Sequence, residues 1–243
     1  LYEDLLAHGT NVFLPRATPQ ASFDGEGNLV GDVDFSAFDA EVRPLAGHDV
    51  VFLMQSLGRL TPQSGEAEPR SNAYRRALAQ YLPLLSEHMR ETGWTRENFA
   101  YYPTDEPGLG GWESINQFIE LAKIVREADP QVQIYADCVA DDPAMWEAMD
   151  PYVDIWCPPT PRMGTLYLQH KEIMHRSGKP VWAYGHVGDG LVADLVDCFR
   201  ADALYSAAYG LTGSGFYAFY LGDPDPWQRR PHEYSLVYPG RQR

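Results

Sequence analysis

The sequence predicts an α/β chain of the (β/α)8 TIM-barrel type, and three observations predict it. Short apolar runs begin at about Asn11, Val50, Phe99, Val132, Val153, Val181 and Gly215, seven in all. Each follows a helical pattern closed by Gly or Asp-Pro, and the units recur at roughly 20 to 50 residues, as successive right-handed β/α units do. No glycine-rich nucleotide loop follows an early strand, which counts against a doubly wound open sheet. Seven strands led by a helix imply an eight-stranded barrel. Its first strand is expected upstream of Leu1 and its last helix beyond Arg243, with residues 1–243 forming one domain.

Leu1 to His8 reads as a helix with Leu5 and Leu6 inward, ended by Gly9 before the strand Asn11 to Leu14. The excursion Gln20 to Val33 carries the turn formers Asp24-Gly25-Glu26-Gly27-Asn28 and is expected as a hairpin or open loop over the barrel mouth. A helix over Phe35 to Ala46 closes at Gly47, and Val50 to Gln55 is the second strand. The loop Gly58 to Arg70, with Pro62, Gly65 and Pro69, has the length of a lid or substrate wall. Asn72 to Thr92 shows a helical stripe of Tyr74, Leu78, Tyr81, Leu82, Leu85 and Met89, with a kink expected at Pro83.

After the strand Phe99 to Tyr102, the helix Trp112 to Ala128 presents Ile115, Phe118, Ile119, Ala122 and Val125 on one face. Val132 to Ala136 is the strand that delivers Asp137. Then come a helix at Pro143 to Met149, the strand Val153 to Trp156, a Pro-rich loop at Pro158 to Pro161 and the helix Leu166 to Arg176. Val181 to Tyr184 is a strand tipped by Gly185 and His186, Leu191 to Tyr209 is helical, and Gly215 to Tyr220 is the last strand. The tail Asp223 to Gly240 is expected to fold across the mouth or side of the barrel.

The composition, 44% hydrophobic and 13% aromatic over 243 residues, supports one large core. A formal charge of −15 argues against a nucleic acid or an anionic membrane as partner. No apolar run reaches the length of a membrane span. Cys138, Cys157 and Cys198 are odd in number and lack metal-ligand spacing, so they name no redox compartment. Cys138 and Cys157 follow consecutive strands and can approach one another; a metal held by them with His186 has little support, and no metal or cofactor is expected.

The chain is organised around Tyr101-Tyr102-Pro103-Thr104-Asp105-Glu106-Pro107-Gly108. Two adjacent carboxylates stand where an apolar strand ends, at the edge that carries the chemistry of α/β folds. The plain alternative is that Asp105 caps the next helix while Glu106 is solvated. Glycosidic cleavage needs an acid for the leaving oxygen and a second group for the oxocarbenium-like centre. The strand Val181 to His186 has no carboxylate before Asp189, which disfavours a pair of glutamates on separate strands. An adjacent Asp-Glu pair suits substrate assistance instead. The sugar's 2-acetamido group attacks the anomeric carbon, Glu106 acts as acid and then base, and Asp105 orients the acetamide N–H. Tyr102, Asp137, Trp156, Tyr184, His186, Tyr217, Tyr220 and Trp227 are candidate sugar contacts, with Trp182 and Phe219 assigned to the core. Other readings are a catalytically silent carbohydrate-binding barrel, a metal-dependent hydrolase using Asp105, Glu106, Asp137 and His186, and a neutral-hexose glycosidase with a nucleophile elsewhere.

The chain resembles glycoside hydrolase family 123. The carrying residues are Leu5-Leu6-Ala7-His8-Gly9-Thr10-Asn11-Val12, Thr104-Asp105-Glu106-Pro107, Asp154-Ile155-Trp156, Val181-Trp182-Ala183-Tyr184, Asp225-Pro226-Trp227 and Tyr238-Pro239-Gly240. The resemblance implies a retaining, substrate-assisted β-N-acetylgalactosaminidase with Asp105 orienting the acetamide and Glu106 as acid/base. It also implies a carbohydrate as the partner, export from the cell and an upstream β-sandwich. The sequence leaves the oligomeric state open.

Overall fold

The structure, a computed structural model, describes residues 2–54, 71–160, 165–186 and 200–217. The expected lid, the tail, Cys198, Phe219, Tyr220 and Trp227 lie outside them. The chain packs as two compact units, Leu1–Ala136 with Pro151–Asp154, and Asp137–Asp150 with Ile155–Arg243.

In the first unit the order is α1 (Tyr2–Ala7), β1 (Val12–Phe13), α2 (Ser36–Val42), β2 (Val51–Met54), α3 (Asn72–Glu91), β3 (Phe99–Tyr101), α4 (Gly111–Ala128) and β4 (Gln133–Ala136). The four strands pair in parallel and in chain order, with Phe13 opposite Phe52, Phe52 opposite Phe99, and Tyr101 opposite Ile134. Parallel neighbours joined by helices are the β/α units that the spacing predicts.

The apolar stripe of α3 explains why that helix forms. Tyr74, Leu78, Tyr81, Leu82, Leu85 and Met89 are all buried, and Ser71 starts the helix by accepting the Tyr74 N–H at 3.1 Å. Pro83 does not divide it. Pro83 and Ala79 are both exposed, so water can satisfy the Ala79 carbonyl that the missing N–H leaves free. Phe99 and Tyr101 meet this helix, and with Met54, Tyr81, Leu82 and Leu85 they line an apolar void of about 10 Å³. That is no more than the room of one water, so it is a packing defect in the sheet-helix layer and not a ligand site.

The hairpin at Gln20 to Asp34 forms, with antiparallel bridges Gln20 to Asp34 and Phe23 to Leu29. Its tip docks on the N-terminal half of α3. Gln80 Nε2 donates to the Gly27 carbonyl at 2.8 Å, the Leu29 N–H donates to Gln80 Oε1 at 3.1 Å, and a Cβ on Gly27 would meet the Ala73 carbonyl at 1.9 Å. Only glycine allows that approach.

Two carboxylates tie loops to the layers. Glu41 accepts from the Tyr2 hydroxyl at 2.5 Å and from the Ala17 and Arg16 N–H groups at 2.6 and 3.1 Å. Asp154 accepts from the Ile134 N–H at 2.7 Å and pairs with Arg126, which also donates to the Val132 carbonyl. Asp154 thus anchors β4 to α4.

In the second unit the elements are α5 (Pro143–Met149), β5 (Ile155–Trp156), α6 (Leu166–His175), β6 (Trp182–His186), α7 (Ala201–Ala208) and β7 (Gly213–Tyr217). Trp156 bridges Val181 in parallel, and β6 pairs with β7 from Trp182 opposite Gly213 to His186 opposite Tyr217. Among the described residues the seven strands are those the sequence predicts. Trp146, Trp156, Tyr167, His170 and Met174 form the core of this unit.

His170 is 3% exposed and stacks on Trp146 with ring centroids 5.0 Å apart. Burial lowers its pKa below 6.5; backbone groups of Asp141 and Ala140 oppose the shift, but neither ring nitrogen has a partner in hydrogen-bonding geometry. The folded value lies below the unfolded one, so on acidification the unfolded chain takes up the proton first. The contribution is full above the unfolded value and is lost as pH falls. The urea midpoint of the parent protein should therefore drop between about pH 7.5 and about pH 5.5, and His170→Phe should flatten that drop. Equal drops in both proteins would remove His170 from the account.

Candidate active site

Strand alternation positions the site in the first unit. Phe99 and Tyr101 face α3, so Ala100 and Tyr102 face away from it. Tyr102 prolongs the ladder by donating its N–H to the Met54 carbonyl at 3.2 Å. Its ring, 5% exposed, meets Tyr135 edge to face at 4.8 Å and 82°. The Tyr102 hydroxyl then donates to Asp105 Oδ1 at 2.6 Å. A charge-assisted hydrogen bond of that length fixes the carboxylate. Asp105 is otherwise exposed and Glu106 is half-buried.

The helix-cap alternative for Asp105 does not hold. α4 begins at Gly111, its N-cap is Gly110, and no side chain caps it. Glu106 instead has φ +43°, the single non-glycine residue with positive φ among the described residues. A glutamate in this left-handed region costs roughly 1 to 2 kcal/mol, and such outliers gather at functional sites. The turn is braced by the Leu109 N–H donating to the Glu106 carbonyl at 3.3 Å, and by the Gly108 N–H donating to Ser114 Oγ at 2.9 Å.

Of the other expected contacts, Asp137 follows β4 directly and is 5% exposed. Trp156 is fully buried, with its ring on Trp146 at 5.2 Å and its indole N–H directed to Asp150 Oδ1 at 3.4 Å. A ring with no exposed surface has no face for a sugar, so its expected role as a contact is corrected to core packing. On β6 and the residue before it, Val181, Ala183 and Gly185 are buried while Trp182 and Tyr184 are half-buried. A Cβ on Gly185 would strike Asp202 of α7 at 2.6 Å, so that face is the helix side. Trp182 and Tyr184 share the other face, opposite Gly213 and Gly215. This corrects the assignment of Trp182 to the core, because a period of two cannot separate it from Tyr184. His186 and Tyr217 are the last residues of β6 and β7, and Tyr220 and Trp227 lie outside the described residues.

Cys138 and Cys157 are buried and not joined in a disulfide, and burial pushes the Cys138 thiol well above its ordinary value. That makes it a poor nucleophile or ligand. Among the described residues no group of three or more His, Cys, Asp or Glu is placed to hold a metal, and no helix is long and apolar enough to cross a membrane.

Relief of backbone strain should be measurable. Glu106→Gly should unfold at higher denaturant than Glu106→Ala, by about 1 kcal/mol, because only glycine relaxes the left-handed turn. Equal stabilities would show that Glu106 is not strained.

Residues missed by sequence reading are Ser114, which clips the turn, and the exposed pair Leu109 and Trp112. The signal for the turn was present as Gly108, Gly110 and Gly111.

Comparison with solved structures finds (β/α)-barrel enzymes along nearly the whole chain. An endo-β-1,4-mannanase from Thermotoga petrophila is 12% identical, with a TM-score of 0.59, over 97% of this chain and 67% of that one. An endoglucanase of Pseudomonas stutzeri is 14% identical, with a TM-score of 0.55, over 97% and 79%. Active domain 2 of a chitinase from Pyrococcus furiosus is 13% identical, with a TM-score of 0.53, over 96% and 84%. No protein-family model and no curated protein matches the chain. At these identities the likeness shows the fold, a (β/α) barrel.

Proposed function

We propose that the chain is a retaining glycoside hydrolase that cleaves β-N-acetylhexosaminides, N-acetylgalactosaminides foremost, by substrate assistance. The observation that carries this reading is the hydrogen bond from Tyr102 to Asp105 Oδ1 at 2.6 Å, next to a strained Glu106. The solved neighbours named as a mannanase, an endoglucanase and a chitinase support a glycosidase in general.

The chemistry uses the two carboxylates in sequence. The acetamide carbonyl oxygen attacks the anomeric carbon as the bond to the leaving oxygen breaks, and Glu106 gives its proton to that oxygen. Asp105, oriented by Tyr102, accepts the acetamide N–H and offsets the positive charge of the oxazolinium. Glu106, now ionised, takes a proton from water as the water attacks the same carbon and reopens the ring. Two inversions give retention. Asp137, Tyr184, His186, Tyr217, Tyr220 and Trp227 remain the residues to test for sugar contact.

The test is hydrolysis of aryl β-glycosides of N-acetylgalactosamine, N-acetylglucosamine, galactose and glucose. Turnover should be confined to the acetamido sugars and disappear in Glu106→Gln. Asp105→Asn should lower kcat by roughly 100-fold or more, and Tyr102→Phe by about tenfold. Turnover of the plain hexosides would overturn substrate assistance. Sugar binding without any turnover, retained in Glu106→Gln, would favour a silent binding barrel.

A further inference from the structure

Beyond Glu106 the chain exposes two large apolar side chains, one just before α4 and one in its first turn. Leu109 is 69% exposed and Trp112 43%. An indole and an isobutyl group left wet on a surface turn forgo the gain from burial, and here they are held out by a braced backbone. The Gly111 N–H donates to the Gly108 carbonyl at 2.9 Å, and the Ser114 hydroxyl that receives the Gly108 N–H donates to the Gly111 carbonyl at 3.0 Å. Gly108 and Gly111 have φ of +111° and +64°, angles closed to most other residues. The turn is therefore pre-ordered, which reduces the entropy lost on binding.

The two sides of this turn have different chemical surroundings. On the upstream side, Tyr102 and Asp105 are engaged with each other, under the acetamido group in the proposed reaction. The acid must lie against the glycosidic oxygen, and the leaving group begins at that atom. The apolar pair follows the acid by three and six residues, at the same carboxyl end of β3.

We propose that Leu109 and Trp112 form the platform for the leaving group, with the indole stacking on the C–H face of its first sugar ring. The preferred substrate is then an N-acetylhexosaminide joined β to a further sugar, and not a small alkyl glycoside. This inference rests on Glu106 as the acid of an N-acetylhexosaminidase. Trp112 is a specificity residue in this scheme and takes no part in bond breaking.

The test is a binding titration in the full chain carrying Glu106→Gln, with methyl β-N-acetylgalactosaminide and with N-acetylgalactosamine joined β to galactose. The disaccharide should bind about tenfold tighter, the scale of one aromatic contact. Adding Trp112→Ala should erase that advantage and leave the methyl glycoside within about twofold, while Leu109→Ala should remove a smaller part. An advantage that persists without Trp112 would overturn the platform. Parallel weakening of both ligands would also overturn it, by showing that the indole only supports the fold. Failure of both ligands to bind the Glu106→Gln protein would remove the N-acetylhexosaminidase reading and the platform with it. Overturning the platform by its persistence arm leaves methyl glycoside binding intact, so the two failures are distinguishable.

Discussion

β3 is covered by a helix on one face, and the period of two along it governs the site. Phe99 and Tyr101 must meet α3, where the helix presents Tyr74, Tyr81 and Leu82 from its apolar stripe. Burial of Tyr101, with the Tyr74 phenol beside it, raises its phenol far above the ordinary value, so this residue belongs to the packing layer. Tyr102 is thereby committed to the opposite face. Register then brings it beside Tyr135, since Tyr101 lies opposite Ile134. Only from that position does its hydroxyl reach Asp105. A one-residue slip of β3 would bury Tyr102 against α3 and remove the partner of the carboxylate.

The strain at Glu106 is held by local bonds more than by burial. Pro107 is buried and Gly108 is clipped to Ser114, which fixes the chain on the far side of the turn. Each such bond contributes about 1 kcal/mol net, comparable to the cost of one left-handed glutamate. The local bonds together therefore offset the strain and keep the turn ordered. A similar economy appears at Gly185, where the absent Cβ lets Asp202 approach, and at Gly213, where a Cβ would lie 2.5 Å from the Trp182 ring.

Much of this was legible in the sequence because the signals were local. The seven strands, the stripe of α3 and the limits of α5 at Pro143 and Met149 follow from periodicity and from Gly and Pro punctuation. Asp105 and Glu106 stood out as adjacent carboxylates at a strand tip. What failed was long-range. The hairpin carries ordinary turn formers, but nothing in them announces that Gly27 fits under Ala73 and that Gln80 grips both sides of the tip. Trp156 and Tyr184 are both aromatic residues near strand ends. Their separation into core and half-buried positions depends on which face of the strand meets a helix, information carried by Trp146 and Asp202 on other elements.

The adjacency of the two carboxylates sets a geometric condition on the proposed mechanism. Consecutive residues of a strand project to opposite faces, so Asp105 and Glu106 in extended backbone would serve different sides of the sheet. Substrate assistance needs both at one sugar, one at the acetamide and the other at the glycosidic oxygen. A chain that leaves the ladder after Tyr102 and turns left-handed at Glu106 is released from that alternation. Two adjacent residues are then free to act on one ligand, as the proposed mechanism asks of them. A mechanism with carboxylates on separate strands has no need of such strain, because each strand tip can deliver its own group in relaxed backbone. The left-handed Glu106 is therefore compatible with the proposed paired mechanism, in which neighbouring residues serve one ligand.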